Sequence, residues 1–298
     1  MTAQEQIVLS ASRRTDIPAF YLDWFMEGIQ RGFFEVVQPY SLRRRRVTAT
    51  PEQVHTIVLW SKDFGPFLSR SIGERLQEAG FHLFFNFTVN STDPNLEPRV
   101  PPLDRRLEQL TELARRFSPT AVQWRFDPIC VYHGPDGRRR HNRHDFETIA
   151  DAAAAAGIQH CVTSFVDLYA KVRRRAGRIG LTFEEPTIEE KIGILEWVAS
   201  HLASRRMILE TCCEAEVLSH LKPYSPVKAA SCIPSHRLMA LYGGRLSVRR
   251  DPGQRRQAGC GCRISVDIGS YALHPCHHDC LFCYARPAGD VGDVKPKN

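Results

Sequence analysis

The sequence lacks the features of an exported or membrane protein. Residues 1–11 contain no basic segment followed by a sustained apolar run, and no stretch of about 18 apolar residues occurs anywhere in the chain. We therefore expect a soluble, cytoplasmic protein with no membrane partner.

Internal repeats, low-complexity tracts and a linker that would separate two domains are also absent. A chain of 298 residues, 43% of them hydrophobic, is long enough to bury one large core, although its length alone would also allow two ordinary domains. We expect a single domain over residues 1–298.

Lysine is scarce, because only seven of the 40 basic residues are lysine, and the formal net charge is +7. The arginines include runs at residues 43–46, 138–140 and 173–175. Such runs could contact a polyanion, or they could only solvate loops in an arginine-rich chain. Nucleic acid is therefore an alternative partner.

Eight short runs of apolar, β-branched or aromatic residues alternate with helical patterns, which is typical of βαβ units around a parallel sheet. The predicted strands cover residues 7–11, 56–60, 82–89, 121–126, 160–165, 207–211, 227–230 and 263–268. Thr187 and Glu190 have the spacing of a capping box. The predicted fold class is α/β, as a full or partial (β/α)8 TIM-type barrel, with a doubly wound sheet as the alternative.

Ten cysteines in a chain of this size without an export signal indicate metal binding or catalysis rather than disulfides. Cys130 and Cys161 stand alone, and we expect them to pack in the core. The other eight fall in the last third of the chain: Cys212, Cys213, Cys232, Cys260, Cys262, Cys276, Cys280 and Cys283.

Cys276, Cys280 and Cys283 have the spacing C-x3-C-x2-C, which lets three thiolates converge on one metal centre from one short loop. Three ligands on a four-iron cubane leave one iron open, and S-adenosylmethionine (SAM) can chelate that iron through its amino and carboxylate groups. This spacing predicts a catalytic [4Fe-4S] cluster.

A structural zinc site is the alternative, since His277, His278 and Asp279 offer nitrogen and oxygen ligands in the same loop. Consecutive residues cannot easily both turn onto a metal that Cys276 and Cys280 already bind. We therefore favour the iron-sulfur interpretation.

A second cluster is predicted upstream, where Cys260 and Cys262 flank a glycine that permits a tight turn. Cys232 and Cys212 follow predicted strands and would emerge at the same rim of a barrel, giving four ligands for an auxiliary [4Fe-4S] cluster. Cys213 could replace Cys212 in this set. Alternatively, the cysteines at the strand ends are ordinary buried residues.

The three-cysteine spacing, with Phe282 just before the third cysteine, resembles the radical SAM superfamily. The resemblance implies that Phe282 lies beside the adenine of the cofactor. It also implies that the reduced cluster donates an electron to the sulfonium, which releases methionine and a 5'-deoxyadenosyl radical. A flavodoxin or ferredoxin would supply the electrons.

Nearly the whole chain also resembles an uncharacterised bacterial family of unknown function. The resemblance rests on Ser10-Ala-Ser-Arg-Arg-Thr-Asp-Ile-Pro18, on Trp60-Ser-Lys-Asp63, and on the closing pattern Cys-Gly-Cys, Asp-Ile-Gly-Ser-Tyr and Cys-x3-Cys-x2-Cys-Tyr-Ala. It implies a radical SAM-like barrel but no substrate.

The cluster loop normally follows the first barrel strand of the superfamily, whereas here only fifteen residues follow Cys283. We therefore expect a circularly permuted barrel in which the strand at residues 263–268 pairs with the strand at residues 7–11. Residues 231–298 would form the cluster-binding region.

The first strand is not followed by the glycine pair that usually binds the amino group of the cofactor, but by Arg13, Arg14, Thr15 and Asp16. The arginines can pair with the methionine carboxylate, and Asp16 can accept from the ammonium or the ribose. The alternative is a helix N-cap at Asp16, with Pro18 in the first turn.

Lys62, Arg125 and Asp127 stand at the ends of predicted strands, which converge on one mouth in a barrel. We expect them to contact the cofactor, with a structural ion pair or a helix cap as the alternative.

Two other functions stay open beside a radical SAM enzyme of unknown substrate. One is a zinc- or iron-sulfur-stapled protein that binds nucleic acid through its arginines. The other is a radical SAM enzyme that repairs or modifies nucleic acid, analogous in chemistry to spore photoproduct lyase.

Overall fold

The computed structural model describes residues 6–37 and 43–285. The strands are β1 (Ile7–Ala11), β2 (Phe33–Val37), β3 (Arg44–Thr48), β4 (Val54–Ser61), β5 (His82–Thr88), β6 (Val122–Ile129), β7 (Val131–His133), β8 (Arg139–His141), β9 (His160–Phe165), β10 (Thr182–Glu184), β11 (Ile208–Thr211), β12 (Lys228–Ala229) and β13 (Val266–Asp267). The helices are α1 (Ile17–Phe20), α2 (Leu22–Arg31), α3 (Gly65–Ser69), α4 (Ile72–Glu78), α5 (Leu103–Phe117), α6 (Phe146–Ala155), α7 (Ala170–Arg178), α8 (Ile188–Ala203), α9 (Ala215–His220) and α10 (Ser235–Tyr242). The end of the predicted cluster-binding region, residues 286–298, lies outside the described residues.

Eight of the strands form one parallel sheet in the order β12-β11-β9-β6-β5-β4-β1-β13. They are the eight strands that the sequence predicts, with ends that differ by at most three residues. Strand β4 is buried at all but one position, as expected for a parallel strand that is covered on both faces. The predicted α/β class is confirmed.

The strand that precedes the C-terminal cysteine loop lies beside the N-terminal strand. Leu9 of β1 pairs with Val266 of β13, and Ser10 pairs with Asp267. The predicted neighbourhood of these two strands is confirmed. It brings the turn after β1 and the loop after β13 to the same edge of the sheet.

The full TIM barrel is not formed, because the sheet is open between β12 and β13, which have two residues each. Outside these two strands, the segment after β12 and the segment before β13 are linked by a backbone hydrogen bond from Arg263 N–H to Ile233 O at 3.1 Å. The backbone just before β13 bonds instead to an upstream loop, since Asp251 N–H donates to Cys262 O at 3.0 Å and Ile264 N–H donates to Arg249 O at 3.1 Å. These groups are therefore not available for a ladder with β12.

The two faces of the sheet are covered differently. Leu9, Ile57 and Trp124 belong to a large core with the helices of one face, among them α2, α5, α6 and α8. Val58 and Phe84 face the other side, in a smaller core with α10 and several cysteines. Side chains of α10 form hydrogen bonds near the amino ends of the strands, so this helix covers that part of the face. The polar residues at the carboxyl ends of the strands face a cavity.

Several elements are not predicted by the sequence. They are the antiparallel hairpin β2-β3, the small sheet β10-β7-β8, and helices α2, α3, α4, α7, α9 and α10. Strands of three residues are too short to show a period, and the arginines of β3 obscure its alternation. In the described part of the chain, no helix has the length and apolar character needed to cross a membrane.

Candidate functional site

The carboxyl ends of the parallel strands open into one cavity of about 480 Å³. Every residue that the sequence predicts to bind a metal or a cofactor lies on its wall. They are Arg13, Arg14, Asp16, Lys62, Arg125, Asp127, Cys212, Cys232, Cys260, Cys262, Cys276, Cys280, Phe282 and Cys283. This edge of an open parallel sheet is the usual place for a ligand.

The three-cysteine loop, with Cys276, Cys280 and Cys283, is held on the cavity wall by its backbone. Leu281 N–H donates to Leu96 O at 2.8 Å, and Cys283 N–H donates to Cys280 O at 3.1 Å. Cys280 is buried, and the other two cysteines are half-buried. Burial raises the pKa of Cys276 to about 12, so a metal that binds this thiol must displace its proton.

Two of the polar residues inside this loop have partners away from the thiols. His278 is 1% exposed, and its Nε2 lies 2.8 Å from Asp16 Oδ2. The carboxylate of Asp279 lies 2.9 Å from the Arg99 guanidinium. These contacts occupy two of the three side chains that could have completed a zinc site with the cysteines.

Asp16 joins three segments at the start of α1. Its Oδ1 accepts from Ala19 N–H at 3.0 Å and from Ser61 Oγ at 2.7 Å. Its Oδ2 accepts from Lys62 N–H at 2.8 Å and faces His278 Nε2. The N-cap, offered as the alternative by the sequence, is confirmed, and four contacts use the acceptor capacity of this carboxylate.

Asp267 of β13 shapes the turn after β1. Its carboxylate accepts from Ser12 Oγ at 2.6 Å, from Arg13 N–H at 2.8 Å and from Gly269 N–H at 3.0 Å. Arg14 in turn donates to Gly269 O at 2.8 Å. The pairing of β1 with β13 therefore fixes the two arginines on the cavity wall.

Two polar atoms of this turn have no hydrogen-bond partner in the described part of the chain: Arg13 Nε and Thr15 Oγ1. Thr15 is only 8% exposed, and both residues line the cavity. A buried polar group without a partner costs about 1–3 kcal/mol. This part of the wall therefore suits a polar ligand that supplies the missing hydrogen bonds.

Lys62 lies between the three-cysteine loop and an acidic side chain. Its Nζ is 2.5 Å from Glu97 Oε1 and 5.3 Å from the centre of the Phe282 ring. Burial by itself lowers the pKa of Lys62, but the charges of Glu97 and Cys280 outweigh it, and the pKa is raised. A fixed positive charge thus stands beside the loop.

The remaining thiols on the cavity form a second group, the five-cysteine group: Cys212, Cys213, Cys232, Cys260 and Cys262. The sulfur of Cys212 lies 3.7 Å from that of Cys213 and 3.9 Å from that of Cys232. Cys260 also interacts with the thiols of Cys212, Cys213 and Cys262. The structure therefore places both Cys212 and Cys213 in this group, although the sequence does not choose between them.

Arg125 faces the five-cysteine group. One of its nitrogens donates to Cys232 Sγ at 2.6 Å, and the other lies 2.5 Å from Asp127 Oδ2. Its guanidinium carbon stands 5.4 Å from the centre of the Trp60 ring. Arg125 and Asp127 thus form the ion pair that the sequence offers as the alternative to cofactor contacts.

Within residues 6–37 and 43–285, no three His, Cys, Asp or Glu side chains are placed to hold a single metal ion. All ten cysteines are free thiols.

Sequence reasoning missed the residues that hold the site in shape. Asp267, Glu97 and the contact between Asp16 and His278 are not predicted. The one available signal for Asp267 is the Asp-Ile-Gly-Ser-Tyr pattern at residues 267–271, which lies between the two cysteine motifs.

Comparison with known proteins identifies a family but no activity. A family model described as a domain of unknown function, DUF1848, matches residues 8–285. The chain belongs to this family, and the resemblance to an uncharacterised family is confirmed. No curated protein matches the chain.

Proposed function

We propose that this member of the DUF1848 family is a radical SAM enzyme in which Cys276, Cys280 and Cys283 hold a [4Fe-4S] cluster. The observation that carries the proposal is the shared cavity of the three-cysteine loop and the arginine turn after β1. Asp16 and His278, which are 262 residues apart, join the two segments directly.

The residues present fit this cluster. Thiolates are the ligands that iron-sulfur clusters take, and three of them leave one iron open. When bound, the cluster would supply an electron to the sulfonium of SAM, releasing methionine and a 5'-deoxyadenosyl radical. His278 and Asp279, which could have closed a zinc site, are engaged with other partners.

The turn after β1 fits the methionine end of the cofactor. Arg13 and Thr15 carry the unpartnered atoms, and the carboxylate and ammonium groups of methionine could pair with them. Arg14 adds positive charge on the same turn. By resemblance, Phe282 would lie beside the adenine.

The other charged residues on the wall would act around the cofactor. The carboxylate of Asp16 already makes four contacts with protein groups, so it has no free acceptor for the cofactor. Asp16 would instead position the cysteine loop through His278. Lys62, Arg125 and Asp127 would set the charge of the cavity in which cofactor and substrate meet.

We interpret the sheet as an open form of a circularly permuted radical SAM barrel. In this interpretation, β13 leads to the cluster loop and β1 is the next strand around the barrel. The parallel pairing of these two strands supports it.

A zinc-stapled protein that binds nucleic acid is less well supported. Arg139 pairs with Glu184, and Arg140 pairs with Asp136. The exposed arginines of β3 are the best candidates for a polyanion contact. Salt-dependent binding to an oligonucleotide would be the sign of a nucleic-acid substrate.

The proposed function is tested by anaerobic reconstitution of the full chain with ferrous iron and sulfide, followed by dithionite and SAM. We expect a brown protein that forms 5'-deoxyadenosine, measured by liquid chromatography. A colourless protein with stoichiometric zinc, or an iron-loaded one that forms no 5'-deoxyadenosine, would contradict the proposal.

Helix α7 offers a place for the electron donor. Arg175 donates to the carbonyl oxygen of Cys283, so the helix touches the three-cysteine loop. Arg173 and Arg174 are exposed on the same helix. A flavodoxin or ferredoxin with an acidic surface would be steered to this positive face.

We expect the double substitution Arg173→Glu/Arg174→Glu to slow reduction of the cluster by reduced flavodoxin roughly tenfold or more at low salt, because like charges would then meet. Reduction by dithionite, a small molecule, should be unchanged. The matched control is Arg44→Glu/Arg45→Glu, the same change at two adjacent exposed arginines of β3. Equal rates for both variants with flavodoxin would contradict docking at α7.

A further inference from the structure

We infer that the five-cysteine group holds a second iron-sulfur cluster on the same cavity as the three-cysteine loop. The inference goes beyond the proposed function, since it depends on different thiols and does not require that SAM is cleaved. The geometry assigns all five thiols to one site, whereas the spacing of the sequence selects four.

The five thiols come from three separate segments. Cys212 and Cys213 follow β11, Cys232 follows β12, and Cys260 and Cys262 precede β13. The parallel arrangement places Cys212, Cys213 and Cys232 at the carboxyl ends of neighbouring strands. The segment of Cys260 and Cys262 is held beside them by the backbone bond from Arg263 N–H to Ile233 O. The five thiols thus meet within the smaller core although they lie up to 50 residues apart in the chain.

The backbone is bent at Cys213 to bring its thiol to the group. Consecutive side chains of an extended chain point to opposite faces, yet the sulfurs of Cys212 and Cys213 lie 3.7 Å apart. Cys213 has a φ of 63°, in the left-handed region that side chains other than glycine rarely adopt. Such a conformation costs about 1–3 kcal/mol, which a shared metal centre would offset.

A glycine is required between Cys260 and Cys262. A Cβ at Gly261 would lie 2.4 Å from the carbonyl oxygen of Ala230, well inside van der Waals contact. The absence of a side chain lets this segment pack directly on the end of β12. Cys262 thereby reaches Cys232, and Cys260 reaches Cys212 and Cys213.

The donor set favours an iron-sulfur cluster over a zinc ion. Thiolates alone select zinc, copper(I) or iron-sulfur clusters. A tetrahedral ion takes four ligands, one fewer than the five thiols here. A cluster spreads its ligands over several irons and can therefore draw on thiols from all three segments.

Arg125 gives the second site a fixed positive charge. It is 7% exposed and donates to Cys232 Sγ, while Asp127 holds its other nitrogen. Donors of this kind stabilise thiolate, which is the form that binds iron. A cluster there would border the space in which the substrate of the first cluster binds.

The test measures iron, zinc and acid-labile sulfide per chain after anaerobic reconstitution of the full-length protein with ferrous iron and sulfide. We expect about eight irons in the wild type, as two four-iron clusters require. Two variants should each keep about four: Cys260→Ala/Cys262→Ala and Cys276→Ala/Cys280→Ala/Cys283→Ala. Because each variant retains the other cluster, the remaining iron also reports that it folds.

The control is Cys161→Ala, which removes a fully buried thiol of the large core and should keep about eight irons. Gly261→Ala should lose the same four irons as the double variant, although it removes no thiol. About four irons in the wild type, unchanged in Cys260→Ala/Cys262→Ala, would overturn the inference. One zinc per chain that disappears in that variant would also overturn it. About four irons in the triple variant would support it even if the wild type forms no 5'-deoxyadenosine.

Discussion

Replacement of Cys280 by alanine is expected to abolish cleavage of SAM. Cys280 is the buried member of the three-cysteine loop, and without it the proposed cluster keeps two protein ligands. Loss of a residue that only supports a metal ligand already costs about 10–100-fold, so loss of a ligand should cost roughly 100-fold or more. The measurement is the rate of 5'-deoxyadenosine formation with dithionite and SAM.

Cys130→Ala is the matched control for this variant. Cys130 and Cys280 belong to the same small apolar core and are 0% and 4% exposed. Both substitutions remove one buried sulfur from similar surroundings, so their effects on stability should be alike. If Cys280→Ala forms 5'-deoxyadenosine as fast as Cys130→Ala, Cys280 is not a cluster ligand.

Asp16→Ala is expected to lower the free energy of unfolding by about 3 kcal/mol or more. The substitution removes a helix cap, worth about 1 kcal/mol, and leaves the buried donors of Ser61, Lys62 and His278 without their acceptor. Loss of one partner from a buried charged contact costs about 3–5 kcal/mol. The midpoint of urea unfolding, monitored by circular dichroism, measures the loss.

Asp23→Ala provides the comparison, because Asp23 is also an aspartate near the start of a helix and its side chain is 81% exposed. Its contact with Arg70 lies at the surface, where an ion pair contributes less than about 1 kcal/mol. Equal unfolding midpoints for the two variants would mean that the contacts of Asp16 do not hold the segments together.

The strands of the main sheet are predictable because parallel strands that are covered on both faces are continuous apolar runs. Val54–Ser61 and His160–Phe165 are examples, and their ends follow the sequence closely. The opening of the sheet is not predictable in this way. It depends on the backbone hydrogen bonds between residues 249–251 and residues 262–264, which occupy groups that could otherwise pair with β12. No pattern of side chains predicts these bonds.

The candidate site is predictable where its signal is local. The three-cysteine spacing lies within eight residues, whereas the contact between Asp16 and His278 spans 262 residues and leaves no periodic trace. For a similar reason, the sequence does not choose between Cys212 and Cys213. Alternation along an extended chain would turn its side chain away from Cys212, and nothing in a cysteine signals a left-handed backbone.

The pairing of β1 with β13 also sets the order in which the protein can be completed. Synthesis proceeds at about 5–20 residues per second, so on the order of ten seconds or more pass between the synthesis of β1 and that of β13, which covers its edge. The turn that carries Arg13 takes its hydrogen bonds from Asp267, so it gains its shape only when β13 arrives. The cysteine loop follows within a few residues. Both halves of the proposed cofactor site are therefore assembled after the other seven strands of the sheet, and a nascent chain that has made only those strands cannot be loaded with the first cluster.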